Sequence, residues 1–300
     1  MRIKVLGAAA GGGFPQWNCG CPNCRDLRAG TFGAPPQTQE SVAVSSAGDR
    51  WLLLNASPEI RSQIESCPAL HPRGPRDSPI AAVVLTNGDL DHTLGLLSLR
   101  ESHPLTIYAT EPVRRGFTEG NVLYRTLQRF PGQVTWKTLE PRRETAVDGG
   151  LTLTAVPAPG KPPVHLEGLA PPDPGENIGL VIADRASGKR LAYFSAAAGV
   201  TPAVRKAMDG ADCVFFDGTF WSGDELIALG LGTKRASDMA HLPVGGAGGS
   251  LDLLDGTRAA RRLYIHINNT NPLLRPGSPE RAEVEARGWE IARDGMELAL

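Results

Sequence analysis

TNGDLDHTLGLLSLRE (residues 86–101) follows an apolar run, PIAAVVL (79–85), and continues into leucines at helix-like spacing. Asn87, Asp89, Asp91 and His92 stand at the joint between a predicted buried strand and a predicted helix over TLGLLSLRES. Aspartate at such a joint suits a helix N-cap, because its carboxylate accepts the free backbone amides of the first turn. One aspartate serves that purpose. Two aspartates, an asparagine and a histidine within six positions exceed it, and leave a metal site as the alternative that the rest of the chain must decide.

The surrounding chain reads as alternating sheet and helix. MRIKVLG (1–7) predicts an opening strand. SVAVSS and WLLLNAS, around AGD (47–49), predict a hairpin. LTIYAT (105–110) and LTLTAV (151–156) predict strands, and NVLYRTLQRF (121–130) a helix. IGLVIADRASGKRLAYFSA (178–196) is a hairpin about Ser187-Gly188, a turn-favouring pair. ADCVFFDG and RRLYIHI are further buried strands, with Cys213 in the core. SPERAEVEARG carries a full set of helix signals: Ser278 as N-cap, Pro279 at the first helical position and Gly288 past the end. WEIARDGMELAL (289–300) predicts strand, turn and strand. The proline-rich stretches HPRGPRDSP, PAPGKPP and LAPPDPG read as loops or lids. Strands thus come both in hairpins and between helices, which predicts an α/β fold with large mixed sheets. No internal repeat and no linker composition occurs, so a single domain over residues 1–300 is expected.

The chain has 300 residues, 41% of them hydrophobic, enough to bury a large core. Its 31 basic and 32 acidic residues give a formal net charge of -1 without long like-charge runs. That balance excludes nucleic acid and anionic membrane surfaces as main partners. No apolar stretch reaches the length of a membrane span, and MRIKVLGAAAGGGF does not read as a signal peptide. A cytoplasmic protein is expected, and a homodimer is compatible with the sequence. The glycines of GAAAGGGF lack both the P-loop and the dinucleotide-binding patterns, so they read as a tight loop needing positive φ.

Cys19, Cys21 and Cys24 form Cys-x-Cys-x-x-Cys in NCGCPNC. Three soft thiolates this close can wrap a zinc ion, which in structural sites takes four ligands. Cys67 and Cys213 stand apart, so no disulfide framework is implied. Among the six histidines, His71 and His103 precede proline in loops and read as surface residues. His165 lies in a proline-rich loop. His241 sits in MAHLP (239–243), and His266 ends an apolar strand in IHINNTNP (265–272).

The stretch N-G-D-L-D-H at 87–92 resembles the H-x-H-x-D-H motif of the metallo-β-lactamase superfamily. That resemblance implies an αββα sandwich, two mixed β-sheets flanked by helices. It keeps Asp91-His92 and puts Asn87 and Asp89 where the superfamily has histidines. The superfamily's last metal histidine corresponds to His266. Its phosphodiesterase branch carries a similar cysteine knuckle, completed by a residue corresponding here to Asn269. GGGFPQWNCGCPNC (11–24), NASPEIRSQI (55–64), FDGTFW (216–221), MAHLP and IHINNTNP together resemble a branch of the superfamily that acts in pyrroloquinoline quinone biosynthesis, along the whole chain.

Hydrolases of the superfamily use two metals and a bridging water. Here the third histidine of that pattern is replaced by Lys161, and its bridging aspartate falls in Ala196 to Ala198, so a two-metal site is not expected. What remains is His92, His266 and a carboxylate, Asp91 or Asp89, the ligand type of non-haem Fe(II) oxygenases. The resemblance implies an Fe(II)- and O2-dependent hydroxylation of a tyrosine ring in a tyrosine-containing peptide or dipeptide. Expected site residues are Asp89, Asp91, His92 and His266 at the iron, and Cys19, Cys21, Cys24 and Asn269 at a structural Zn(II). His241 is expected to transfer protons and Asp217 to orient a ligand histidine. A single-zinc hydrolase and a non-catalytic carrier of the quinone, assisting its export, are the competing readings.

Overall fold

A computed structural model describes residues 1–169 and 173–300, so 170–172 of LAPPDPG lie outside the described residues. The strands, in chain order, are β1 (Arg2–Gly7), β2 (Ser41–Ser45), β3 (Trp51–Leu54), β4 (Ile80–Val84), β5 (Leu105–Ala109), β6 (Val134–Thr138), β7 (Glu144–Ala146), β8 (Leu151–Pro157), β9 (Ile178–Asp184), β10 (Arg190–Phe194), β11 (Cys213–Asp217), β12 (Arg261–Ile265), β13 (Glu290–Ile291) and β14 (Glu297–Ala299). They form two seven-stranded mixed sheets, ordered β14-β1-β2-β3-β4-β5-β6 and β13-β12-β11-β10-β9-β8-β7. In each, hairpin-connected antiparallel strands lead into parallel strands joined through helical segments.

The period of two along each strand sets the layers. In β3, Leu52 and Leu54 face the other sheet, while Trp51 and Leu53 face an outer helical layer. In β11, Cys213 and Phe215 face inward, and Val214 and Phe216 face the opposite helical layer. Strands buried on both faces must be apolar throughout, which is why WLLL and CVFF read as unbroken runs. Helices Ile60–Glu65 and Glu111–Thr118 cover the first sheet; Pro202–Asp209 and Pro279–Ala286 cover the second. The αββα sandwich is as expected. Among the described residues, no helix is long and apolar enough to cross a membrane.

Two local expectations are corrected. The helix over TLGLLSLRES is one α-turn, Leu90–Thr93, followed by a 3-10 segment, Leu94–Leu99. Gly95 lies so close to the chain at Ser57 that an added Cβ would stand 2.1 Å from its carbonyl oxygen, and Gly95 donates to Ala56 O at 3.0 Å. Tertiary contact therefore overrides the leucine pattern. NVLYRTLQRF holds a 3-10 helix, Val122–Gln128. The strand, turn and strand read from WEIARDGMELAL are present as β13 and β14, on the edges of different sheets.

Candidate metal centre

The parallel strands β4, β11 and β12 end at one rim of the sandwich, and the residues that follow them carry the site. β12 delivers His266, which adopts φ 60°, a left-handed conformation that costs a non-glycine residue energy. The loop after β4 delivers Asp91 and His92. Coordinating atoms of Asp91, His92 and His266 lie within 4.8 Å of one another. His266 Nε2 stands 3.1 Å from Asp91 Oδ2, and His92 Nε2 stands 3.9 Å from the same oxygen. The glycine-rich loop closes one wall: a Cβ on Gly11 would come within 3.2 Å of Asp91 Oδ2. Gly12 and Gly13 have positive φ, as the loop reading expects.

Asn87 does not point to this centre as a ligand. Its Oδ1 lies 2.8 Å from His92 Nδ1 and accepts the Asp89 amide at 3.0 Å. His92 Nδ1 thus carries the hydrogen, and Nε2 presents its lone pair. Buried His92 Nε2 has no hydrogen-bond partner, and neither does Glu40 Oε1 behind it. Glu40 Oε2 lies 3.4 Å from His92 Nε2 and accepts from Asn55 Nδ2 at 2.8 Å. Asn55 is oriented in turn by Thr86, whose amide donates to its Oδ1. Asp89 stands outside the three-residue cluster. It precedes the short helix in extended conformation, and its carbonyl accepts from Thr93 Oγ1 and the His92 amide. Chain direction at this N-terminus turns Asp91, rather than Asp89, onto the histidines.

Charge completes the description. Burial pushes Glu40 up to about 8 and Asp89 up to about 6, the latter helped by Asp91. Burial pushes His92 down to about 4, so its imidazole is neutral at pH 7. Burial opposes charge on Asp91, but His92 and His266 hold its carboxyl below the usual carboxylate range. Burial also opposes charge on His266, yet Asp91, Asp217 and Glu40 raise it to about 9. The cluster therefore draws one positive charge into the space between Asp91 and His266, where a metal cation would supply it. The orphaned His92 Nε2 gives that cation a further donor, so these residues fit a metal.

A second triple, Asp217, His241 and His266, shares a histidine with the first. Its carboxylate and both Nδ1 nitrogens are already engaged. His241 Nδ1 lies 2.6 Å from Asp217 Oδ2, and Ala197 N donates to the same oxygen at 2.8 Å. Thr219 Oγ1 lies 2.6 Å from Asp217 Oδ1 and 2.8 Å from His266 Nδ1. Asp217 thus orients His241 directly and reaches His266 only through Thr219. The expected place of a bridging aspartate, Ala196 to Ala198, supplies backbone groups instead: Ala196 O accepts from Asn177 Nδ2 at 2.9 Å. Asn177 also accepts from Asn87 at 3.4 Å. Lys161 pairs with Glu167.

The sulfurs of Cys19, Cys21 and Cys24 also lie within 4.8 Å of one another. Asn269 Nδ2 is 3.3 Å from Cys24 Sγ and 3.6 Å from Cys21 Sγ. As oriented, the amide meets the sulfurs with its donor nitrogen; a half-turn about Cβ–Cγ brings its oxygen, the atom able to ligate a metal, to the same place. Burial pushes the Cys21 thiol up to about 12, whereas Cys19, where burial also opposes charge, is held below the usual thiol value by hydrogen bonds with Cys21 and Asn269; the sulfur set fits zinc. His71 caps Glu65 O at 3.0 Å, away from both clusters. Sequence reasoning missed Glu40, Asn55, Asn177 and Thr219. Thr219 and Asn55 lie in strings that stood out, FDGTFW and NASPEIRSQI.

The beta-lactamase superfamily domain model matches residues 50–267. Coenzyme PQQ synthesis protein B of Azotobacter vinelandii is 46% identical over 303 residues, covering both chains fully. The counterpart from Stutzerimonas stutzeri is 46% identical over 305 residues, again at full coverage of both chains. The crystal structure of Zn2+-bound PqqB from Methylobacterium extorquens superposes with a TM-score of 0.95 at 44% identity, with full coverage of both chains. A diphosphatase from the PhnP family shares the fold, with a TM-score of 0.68 at 21% identity over 100% of this chain and 97% of its own. Identity of 46% along the whole of both chains, a fold that superposes throughout and the matching domain model leave one assignment: the chain belongs to the coenzyme PQQ synthesis protein B family of the metallo-β-lactamase superfamily.

Proposed function

We propose that this chain acts in PQQ biosynthesis as an iron- and O2-dependent hydroxylase of the tyrosine ring in a peptide-derived precursor. The names of its relatives support the pathway. The observation that carries the reaction type is the Asp91–His92–His266 cluster with its unpartnered His92 Nε2. Two histidines and one carboxylate would hold Fe(II), which when bound supplies O2 activation while leaving positions free for substrate. The superfamily's usual hydrolysis uses a second metal, and the residues at that position argue against one, which leaves the hydrolytic alternative a single zinc. Asn87 is committed to His92 and Asn177, and Lys161 to Glu167.

His241 sits at the mouth with Nδ1 held by Asp217. Nε2 is the nitrogen left to take the phenol or ring proton, and the Asp217 carboxylate stabilises the imidazolium that results. Gly11 and the glycine loop shield Asp91 from solvent on one side. The cysteine cluster with Asn269 would hold a structural zinc that pins this loop to the segment after β12. The whole chain, 1–300, would work as one domain on a tyrosine-containing peptide or dipeptide.

The test is to remove metal, restore Fe(II) or Zn(II) separately without oxygen, then add a tyrosine-containing dipeptide and air. Oxygen uptake and a product heavier by whole oxygen atoms, with iron alone and lost in His266→Ala, are expected. Cleavage of the dipeptide by the zinc form would establish the hydrolase instead. Neither reaction, together with tight binding of the quinone, would establish a carrier.

A further inference from the structure

Thr219 touches every polar group that joins the two histidine triples, and neither the superfamily motif nor the reaction needs a threonine there. β11 ends at Asp217, and Gly218 then crosses tightly over β12: a Cβ on it would lie 3.0 Å from Tyr264 Cβ and 3.1 Å from Ile265 O. Gly218 N donates to Ile265 O at 2.7 Å, and Asn271 Nδ2 donates to Gly218 O at 2.8 Å. This close crossing sets the Thr219 side chain between Asp217 and His266, where it is 3% exposed, too little for solvent to substitute for its hydroxyl.

The hydroxyl lies 2.6 Å from Asp217 Oδ1, 2.8 Å from His266 Nδ1, 2.9 Å from His266 O and 3.1 Å from His241 Nδ1. A hydroxyl has one hydrogen and two lone pairs. The His241 Nδ1 hydrogen is taken by Asp217 Oδ2 at 2.6 Å. Asp217 Oδ1 and His266 O can only accept, and both lie within 3 Å of the hydroxyl oxygen, so the one Thr219 hydrogen is shared between them and is not available to His266 Nδ1. His266 Nδ1 must then be the donor to Thr219. That leaves Nε2, the nitrogen facing Asp91, as the one free to coordinate. The same hydroxyl braces His266 O, on a residue held at φ 60°.

Resting on the reading of Asp91, His92 and His266 as the metal centre, we propose that Thr219 is the positioning residue of His266. It fixes the Nδ1–H tautomer, holds the strained backbone and links the metal ligand to the Asp217–His241 pair. It is the counterpart of Asn87, which does the same for His92. The two ligand histidines are thus set by one neutral hydrogen-bonding side chain each.

The experiment titrates Co(II) into protein whose cysteine cluster is filled with zinc, reading visible d–d absorbance. Wild type, His266→Ala, Thr219→Val and Thr219→Ser are compared. Binding in wild type that His266→Ala abolishes establishes the centre; absence of such binding overturns that reading and this inference with it. Given the centre, Thr219→Val is expected to bind about 10- to 100-fold more weakly, with Thr219→Ser recovering to within about threefold. Equal affinity of Thr219→Val and wild type would overturn the role of Thr219 alone. Should Thr219→Val not fold, long-range 1H–15N spectra of the zinc-loaded wild type decide. A proton on His266 Nδ1 supports the proposal, and one on Nε2 refutes it.

Discussion

A histidine with two nitrogens becomes a defined ligand only when one of them is occupied, and Asn87 does this for His92 at 2.8 Å. Asn87 and Asp89 both replace histidines of the superfamily motif, yet the structure gives them different work. Asn87→Ala frees the imidazole to change tautomer and should weaken metal binding by about tenfold. Asp89→Asn, outside the cluster, should change affinity far less, through lost charge alone. Equilibrium titration of both variants with Co(II) checks this, and the reverse order would place Asp89 among the ligands. Asp91, His92 and the three cysteines were legible because their residue types are unusual in such density, and His266 through the superfamily resemblance. Glu40 and Thr219 were not. Glu40 looks like any polar residue before an apolar strand, and nothing local marks a side chain whose partners lie 52 to 47 positions away, as His92 does from Glu40 and His266 from Thr219. Separation in sequence hides a contact that strand order creates.

At the scale of an element, the segment after Asp91 is shaped by what it packs on. Its leucines have helical spacing, but the α-turn stops at Thr93. Gly95 is the reason a larger residue cannot stand there: a Cβ would lie 2.1 Å from Ser57 O and 2.8 Å from Ala56 O, both backbone atoms that cannot swing aside. Gly95→Ala should destabilise the fold by about 3 kcal/mol through overpacking, and loosen Asp91 and His92 on the same segment. Chemical denaturation of the metal-free protein measures the first effect. An unchanged midpoint would show that the backbone at Ser57 gives way. The hairpin at Ser187-Gly188, by contrast, was fully legible, since Gly188 takes φ 71° at a turn bounded by β-rich runs. Strong local signals survive folding; a periodic run beside a close crossing does not. At the C-terminus the strand, turn and strand of WEIARDGMELAL were legible, but not that the two strands go to different sheets. Asp294 draws this turn away, accepting from the backbone of Ala8 and Thr38.

Across the whole molecule the rim site depends on the two sheets keeping their relative position, since Asp91 and His92 follow a strand of one and His266 a strand of the other. Apolar side chains fill the layer between the sheets, but such contacts are non-directional and do not set a register by themselves. Asp184, at the end of β9, adds a directional clasp from the second sheet to the first. Its Oδ1 accepts from Ser46 Oγ at 2.7 Å, in the turn after β2, and from Ala186 N at 3.0 Å in its own turn. Its Oδ2 lies 3.4 Å from the Met1 amino group and accepts from Ser187 Oγ at 2.6 Å. Burial opposes its charge, but these donors bring its pKa down to about 2. A carboxylate whose pKa is depressed on folding contributes stability above its unfolded value, near 3.8, and loses it as pH falls through the folded value. The clasp should therefore hold fully above pH 5 and fade between pH 4 and about 2. Other carboxylates titrate in the same range, so the difference between wild type and Asp184→Asn is the quantity that isolates it. Denaturation midpoints should differ most at pH 7, with wild type the more stable, and converge toward pH 2. A difference that stays constant across that range would mean that the Asp184 charge does not clasp the sheets. The variant should also bind metal at the rim less tightly at pH 7, because two half-sites on separate sheets meet only as well as the sheets are held.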